Sequence, residues 1–581
     1  MDNRHGRRLP YLRIVVFFLW SLFSVATYAG AAVIDRAAQE QLLQQERERQ
    51  LRDQQEISPD VRLPNPASPP ELLVYPESES PCFTISRVTL TGENAEKLQF
   101  SLSVVTQGED PAIGRCLGAQ GINVAMSRIQ NAIIARGFVT TRVLAAPQDL
   151  NSGLLLLTVI PGKVRQVRFA EGVTARATKW NAVPVKQGDI LNLRDIEQGL
   201  ENLKRAPTAE VDIQIEPADG PDTLPGESDV VIQYQQRFPF RLTFSADDAG
   251  FDSTGKYQAG VTLSGDNLLM LNDLFYVNYN QDLGGGESGK RGSDGQTVHY
   301  SLPLGYWLFG FTTSSYDYHQ VVSGINQSYV YSGRSQNSDI KASRLIYRNA
   351  INKTYLSLRG FFRKSSNYID DTEIEVQRRR TAGWEIGFNQ IWYLGQSLLD
   401  YSLTYKRGTG AMNGLKAPEE TFDEGTSRME ILTADLGFNL PLTIKAPWGE
   451  QALRYSTQIR GQYNFTPLTP QDRLSIGNRY TVRGFDGQLS LSADNGWFLR
   501  NDLSALIGNT GQAVYWGLDY GEVGGQSSDL LLGRQLAGIV LGLRGGYKGF
   551  SYDVFVGKAL KKPKGFETAS TTAGFNLNLT F

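Results

Sequence analysis

From about Phe238 to Phe581 the chain carries strand-length segments in which apolar and polar positions alternate. In the last ten residues Ala573, Phe575, Leu577, Leu579 and Phe581 share one face, and Gly574, Asn576, Asn578 and Thr580 share the other. Phe240, Leu242, Phe244 and Ala246 alternate in the same way with Arg241, Thr243, Ser245 and Asp247. So do Phe550, Tyr552, Val554 and Val556 with Ser551, Asp553 and Phe555. A period of two sustained over about ten residues predicts tilted strands with one face in lipid and the other in water. Short connections near 266–270, 303–307, 349–352, 393–396, 507–511 and 546–549 alternate with longer ones near 282–294, 321–334, 365–377, 409–427, 464–494, 522–533 and 558–569. Short periplasmic turns and long external loops give that rhythm in outer-membrane barrels. A direct count of segments gives roughly 15 to 17 strands. An N-terminal arm and a chain end on the same side of the membrane require an even number, so a transmembrane β-barrel of sixteen antiparallel strands is predicted for residues 237–581. A barrel of that size leaves an aqueous channel. An array of soluble β-sandwiches would also alternate, but it accounts for neither the loop rhythm nor the terminal aromatic residue.

Ahead of the barrel the pattern changes twice. Residues 81–162 and 163–236 each read as strand, helix, strand, strand. The first has strands near Phe83–Leu90, Phe138–Leu144 and Leu154–Ile160, with a helix from Ile122 to Gly137. The second has strands near Val164–Phe169, Val211–Pro217 and Asp229–Gln235, with a helix over Leu193–Arg205. Two successive α+β units form an internal repeat and predict a modular arm. In the second helix Leu193, Ile196, Leu200 and Leu203 form the core face, while Arg194, Glu197 and Lys204 read as solvated charges. Residues 57–80 are Pro-rich, from Pro59 to Pro76, and predict an extended linker with a reach of tens of Å at about 3 Å per residue. Residues 32–56 hold strong helix formers, with a thin apolar stripe of Ile34, Ala37, Ala38 and Leu42. Such a helix buries little in a dry core and suits bulk water or a wet lumen.

Residues 1–31 have the layout of a secretory signal. Arg4, Arg7, Arg8 and Arg13 precede an apolar stretch from Ile14 to Ala26, and Thr27-Tyr28-Ala29 or Ala29-Gly30-Ala31 offers a cleavage pattern. The segment is short for a membrane anchor, and Leu9-Pro10 after Arg7-Arg8 fits a twin-arginine signal poorly. Export makes a disulfide between the two cysteines, Cys82 and Cys116, the expected pairing. Closing that loop stabilises a small domain by roughly 3–4 kcal/mol on chain-entropy grounds.

Composition narrows the chemistry. The 581 residues contain 59 Gly, 26 Tyr and 27 Phe, yet the mean hydropathy is on the polar side, as expected where strands alternate. Fifty-eight basic against 60 acidic residues leave a net charge of −2 and no long-range pull on nucleic acid. Two Cys and three His argue against a multi-ligand metal or haem site, and no cofactor is expected. Gly284 to Lys290 nearly spells a phosphate-binding loop. However, Arg291 stands where the magnesium-holding Ser or Thr belongs, and the flanking segments are strands. His299 and His319 lack partners for catalysis and there is no Gly-x-Ser-x-Gly elbow, so no catalytic residue is assigned and an enzyme is not expected.

Four segments, in order, resemble the two-partner secretion transporters (TpsB family) of the Omp85 superfamily. The likeness is to the ShlB/HecB/CdiB branch that serves haemolysins, adhesins and contact-dependent inhibition toxins. Cys82-Phe83-Thr84-Ile85 with Cys116-Leu117-Gly118 resembles the opening of that branch's first POTRA domain. Arg136 to Arg142, with Ser152-Gly153 and Pro161-Gly162, resembles its end. Leu193 to Leu200 resembles the second POTRA helix. Val482-Arg483-Gly484-Phe485 is similar to the superfamily's loop-6 motif, and Gly517-Leu518-Asp519-Tyr520-Gly521 to its strand partner. The resemblance implies an outer-membrane pore with periplasmic POTRA domains that exports a large TpsA-type partner protein. It also implies a plug role for residues 32–56, a lumen latch of Val482, Arg483, Gly484 and Phe485 with Asp519, and a part for Phe581 in the signal read by the barrel-assembly machinery. The physical pattern agrees with the latch. Val514, Trp516, Leu518 and Tyr520 form the lipid face, so Asp519 points inward between Gly517 and Gly521. Arg483 reaches it if the longest loop folds into the lumen. A barrel insertase of the same superfamily is the alternative function, disfavoured by the short arm and the leading helix. A solute porin has no need of such an arm.

Overall fold

The computed structural model describes residues 36–56, 59–64, 73–173, 176 and 178–581; the signal segment lies outside them. Sixteen antiparallel strands close into a barrel, from Phe240–Asp247 to Thr572–Thr580, with a two-residue ladder at Thr372–Glu373 appended to one wall. The closing seam pairs Asn576 with Asp247 through Thr580 with Thr243. Phe581 and Leu242 extend it by exchanging backbone hydrogen bonds of 2.9 and 3.2 Å. Alternation sets the two faces. Phe240, Phe244, Trp516 and Leu518 are exposed on the outer wall, whereas Tyr276, Tyr316 and Asp519 are buried within.

Three connections depart from the sequence pattern. Ala446 and Gly449 flank a two-residue turn that went unpredicted, because Pro447 and Trp448 continue the apolar run of Leu442 and Ile444. A loop between Asp247 and Gln258 was likewise not foreseen. Residues 321–334 are mostly strand: Trp307–Ser323 and Ser328–Arg348 pair down to Ser323 with Ser328. Their outward positions Ser332, Arg334 and Gln336 are polar, so the hydrophobic alternation stops where the wall leaves the lipid, while the hydrogen-bond ladder continues beyond it.

The helix over residues 36–55, α1, lies inside the barrel, as its side-chain contacts below show. The first α+β unit contains α2 (Ala119–Ala135), which ends at Gly137 with φ +98°, the left-handed conformation that glycine adopts without strain. The second contains α3 (Leu193–Lys204), where the Asn192 side chain accepts from the backbone N–H of Arg194. In both sheets the last strand is central. In the first unit Leu154–Ile160 runs parallel to Arg87–Thr91 and antiparallel to Arg142–Leu144. In the second, Glu227–Gln236 runs parallel to Lys163–Phe169 and antiparallel to Ala209–Pro217. The predicted strand at 138–144 forms only over its last three residues. Each unit has its own core: Ile85, Leu98, Ile129, Ile133, Leu155 and Leu157 in the first, Leu191, Ile196, Leu200, Leu203, Val230 and Ile232 in the second.

A disulfide joins Cys82 to Cys116 across 34 residues, beside the small ladder of Phe83–Thr84 with Cys116–Leu117. Replacing both cysteines by serine is expected to destabilise the first unit by about 3–4 kcal/mol. Limited proteolysis of the full chain checks this: cleavage within residues 82–162 should rise sharply while the barrel remains resistant.

Candidate functional site

Loop 465–494 is the longest connection of the barrel and folds inward. Leu474–Ile476 pairs with Leu491–Ala493, and this hairpin packs Leu474, Ile476, Val482, Phe485 and Leu491 against Phe498, Val523, Leu536 and Phe566 of the wall and neighbouring loops. Phe485 meets Phe566 edge-on at 5.8 Å. An apolar cluster inside a polar lumen gives the loop one seat.

That seat places Arg483 on the strand Ala513–Gly524. Its Nε and Nη2 donate to the two carboxylate oxygens of Asp519 at 2.7 and 2.8 Å, and its own backbone N–H donates to Oδ2 at 3.0 Å. Nη2 also donates to Asp502 at 2.6 Å, and Asp502 is held in turn by Arg544 at 2.6 Å. Arg483 is 3% exposed and Asp519 1%. Burial alone would lower the Arg483 pKa. The hydrogen bonds and charge of Asp519, then those of Asp502, outweigh it and hold the guanidinium charged. Glycines clear the space. A Cβ at Gly538 would stand 1.8 Å from the Arg483 carbonyl oxygen, and one at Gly517 would stand 2.6 Å from the guanidinium. Gly484 takes φ +93°, and a Cβ there would lie 2.6 Å from the Lys558 carbonyl. The base of the loop is anchored separately. Asp472 accepts from Lys406 at 2.6 Å and Arg363 at 3.2 Å; burial raises its pKa, but those two cations pull it down further.

The structure therefore brings Val482, Arg483, Gly484, Phe485 and Asp519 together. Cys82 and Cys116 lie in the arm, and Phe581 is 71% exposed on the outer wall, edge-on to Phe244. Sequence reasoning missed Asp502, Arg544 and Gly538. The alternation with outward Leu499 and Leu503 marks Asp502 as inward, so that residue was findable.

The helix α1 crosses the remaining lumen and hydrogen-bonds mainly to one wall. Glu40 accepts from Thr254 at 2.5 Å and Tyr316 at 2.8 Å, Glu48 accepts from Ser314 at 2.5 Å, and Gln55 accepts from Ser264 at 2.7 Å. Arg47 donates to Gln258 at 2.9 Å and Arg52 to Thr312 at 3.3 Å. From the opposite wall Arg460 reaches Glu46 at 3.2 Å. Between α1 and loop 465–494 a cavity of about 620 Å³ remains, lined by Arg49, Asp53, Arg359, Glu385 and Asp435 among others.

Below the barrel, α3 faces the short turns. Asn181 donates to the carbonyls of Leu271 and Pro303, and Asn202 to that of Gly305. Arg194 and Glu197, predicted as solvated, are 6% and 0% exposed. The barrel covers Glu197, where Arg348 donates to it at 2.9 Å and to Glu201 at 2.7 Å, whereas Arg194 donates to Glu197 at 2.5 Å and stands beside Gly137 of the first unit. Helix periodicity identified the apolar face of α3 but could not reveal that a second surface covers the polar one.

A lumen holding both a helix and an inserted loop, above two α+β units of which the second docks on the turn side, is the architecture of an outer-membrane transporter. Comparison with known proteins specifies it. Residues 226–545 match the haemolysin secretion/activation proteins ShlB/FhaC/HecB, residues 83–162 a ShlB-type POTRA domain and residues 163–217 a POTRA domain. The outer membrane transporter CdiB-2 of Burkholderia pseudomallei (strain 1026b) is 37% identical over 569 residues, 95% of each chain. CdiB from Acinetobacter baumannii superposes with a TM-score of 0.81 at 31% identity, covering 94% of this chain and 99% of its own. CdiB from Escherichia coli gives 0.80 at 26%, covering 94% and 98%. The chain belongs to the haemolysin secretion/activation family and is a two-partner secretion transporter of the outer membrane, with its POTRA domains in the periplasm.

Asp519→Ala leaves a buried guanidinium with only Asp502 to neutralise it. The expected cost to the seated loop is about 3–5 kcal/mol. Protease accessibility of loop 465–494 in intact cells checks this and should rise, while the heat-modifiable mobility of the barrel stays unchanged.

Proposed function

We propose that this transporter exports a large TpsA-type exoprotein, such as a haemolysin, an adhesin or a contact-dependent inhibition toxin, through its own lumen. In this reading α1 is the resting plug and Arg483 with Asp519 is the latch of loop 465–494. The POTRA domains capture the client as an added strand on an open sheet edge. The outer-membrane lipid covers the outward apolar rows, and Phe581 presents an exposed ring to the barrel-assembly machinery.

The observation that carries the reading is the contrast between the two lumen occupants. Loop 465–494 sits in an apolar seat with a buried, multiply bonded ion pair. The helix α1 is held by separate hydrogen bonds, most of them to charged groups and each worth about 1.5–3 kcal/mol net, that water replaces one at a time as they break. One occupant is built to stay and the other to leave. No ATP-binding motif accompanies them, so folding of the client outside the cell is the proposed source of direction.

Three outcomes test this. Arg483→Ala should leave barrel levels in the membrane unchanged and lower the amount of client in the medium; normal export would sink the latch. Arg47→Glu combined with Arg52→Glu should raise ion conductance in planar bilayers by loosening the plug. Deleting the transporter should retain its partner in the periplasm, and undiminished secretion would refute export altogether.

A further inference from the structure

Residues 59–64 of the linker lie between α3 and the barrel rim, and their backbone is read by charged side chains. The N–H of Val61 donates to Glu201 at 2.9 Å, and the N–H of Leu63 donates to Glu197 at 2.8 Å. Arg348 donates to the Val61 carbonyl at 2.5 Å while holding both carboxylates. The Asp60 carboxylate accepts from Lys353 at 2.9 Å and from the Tyr393 hydroxyl at 2.6 Å. Val61 is 8% exposed within the core of the second POTRA domain, and Leu63 packs on the same core. The Arg62 guanidinium lies over the Tyr393 ring, 4.3 Å from its centroid.

Two adjacent buried carboxylates on one helix are costly, and apolar side chains of similar volume would fill the space at less cost. Their placement fits a different purpose. Glu197 and Glu201 are one helical turn apart, about 6 Å along the axis. Alternate amides of an extended chain recur at about 6.6 Å and point the same way. A pair of acceptors at that spacing matches the backbone of any extended segment. The side-chain contacts add a preference: an acidic residue facing Lys353 and Tyr393, then an aliphatic residue, and another two positions on.

We propose that this groove is a binding site for extended polypeptide, occupied at rest by residues 59–64 as an internal ligand. A segment of the exported chain with an acidic residue followed by alternating aliphatic residues takes the linker's place. This rests on the export reading and deepens it: α1 ends at residue 55, directly before the tethered segment, so vacating the groove also releases the plug's anchor.

The test uses the full-length transporter in detergent, with Asp60→Gly, Val61→Ser and Leu63→Ser combined to empty the groove. The probe is a fluorescently labelled peptide of residues 59–64, Pro-Asp-Val-Arg-Leu-Pro, followed by anisotropy. The peptide should bind the vacated transporter at least about tenfold more tightly than the parent, a difference of about 1.4 kcal/mol. Replacing its Asp by Asn should weaken binding several-fold, and adding Glu197→Gln with Glu201→Gln to the vacated transporter, which keeps the acceptors but removes their charge, should also weaken it several-fold. Equal binding to parent and vacated protein overturns the proposal. So does binding that ignores both the peptide's Asp and the two glutamates. The Asn peptide needs no further change in the protein, so it decides the matter even if the Gln variant fails to fold. No exported protein enters this measurement, so its failure is separate from a failure of export, which the deletion strain reports.

Discussion

Lipid offers no hydrogen-bond partner, and each unpaired backbone N–H or C=O within it costs several kcal/mol. Everything else in this protein follows from meeting that constraint with strands. A sheet in lipid has to close, and closure at sixteen strands leaves a lumen too wide for wall side chains to fill. Alternation makes the wall of that lumen polar. The contents of the lumen must then be polar as well, or bring their own apolar shell.

The two occupants take these two routes. Loop 465–494 carries Leu474, Ile476, Val482 and Phe485 into the barrel and meets apolar wall residues there, so that its charged tip is desolvated beside Asp519. A desolvated pair bonded through Nε, Nη2 and the backbone N–H is strong and unforgiving. The helix α1 follows the other route, with glutamates, glutamines and arginines spread along its length and separate hydrogen bonds to the wall. The docked face of α3 is an intermediate case: its carboxylates are buried, and the cations that neutralise them come from the helix itself, through Arg194, and from the barrel, through Arg348 and Lys353.

Much of this was legible in the sequence because the barrel's alternation has a single period and the loop-6 motif has a paired partner on a strand of known parity. The rest escaped for identifiable reasons. The Pro447-Trp448 turn carries apolar residues through a reversal of direction. The wall near Ser323 and Ser328 runs past the lipid, where hydrophobicity no longer reports strand. Glu197 obeys a solvated pattern on its own helix and is buried by a partner some 150 residues away in the chain, as the Arg348–Glu197 contact shows. Periodicity describes one element against one environment. Where a surface serves two environments, or is covered by a distant segment, the signal belongs to no single stretch of sequence.

The glycines beneath the loop tip have a bearing on how the barrel is put together. Gly517, Gly538 and Gly557 lie on strands that follow loop 465–494 in the chain. The surface that receives Arg483 thus depends on three later strands standing in register with one another. The seat is sensitive to register: a wall shifted by one residue would turn Asp519 to the lipid and put side chains where the glycines belong. A seated Arg483 is in this sense a mark of correct register in three strands at once.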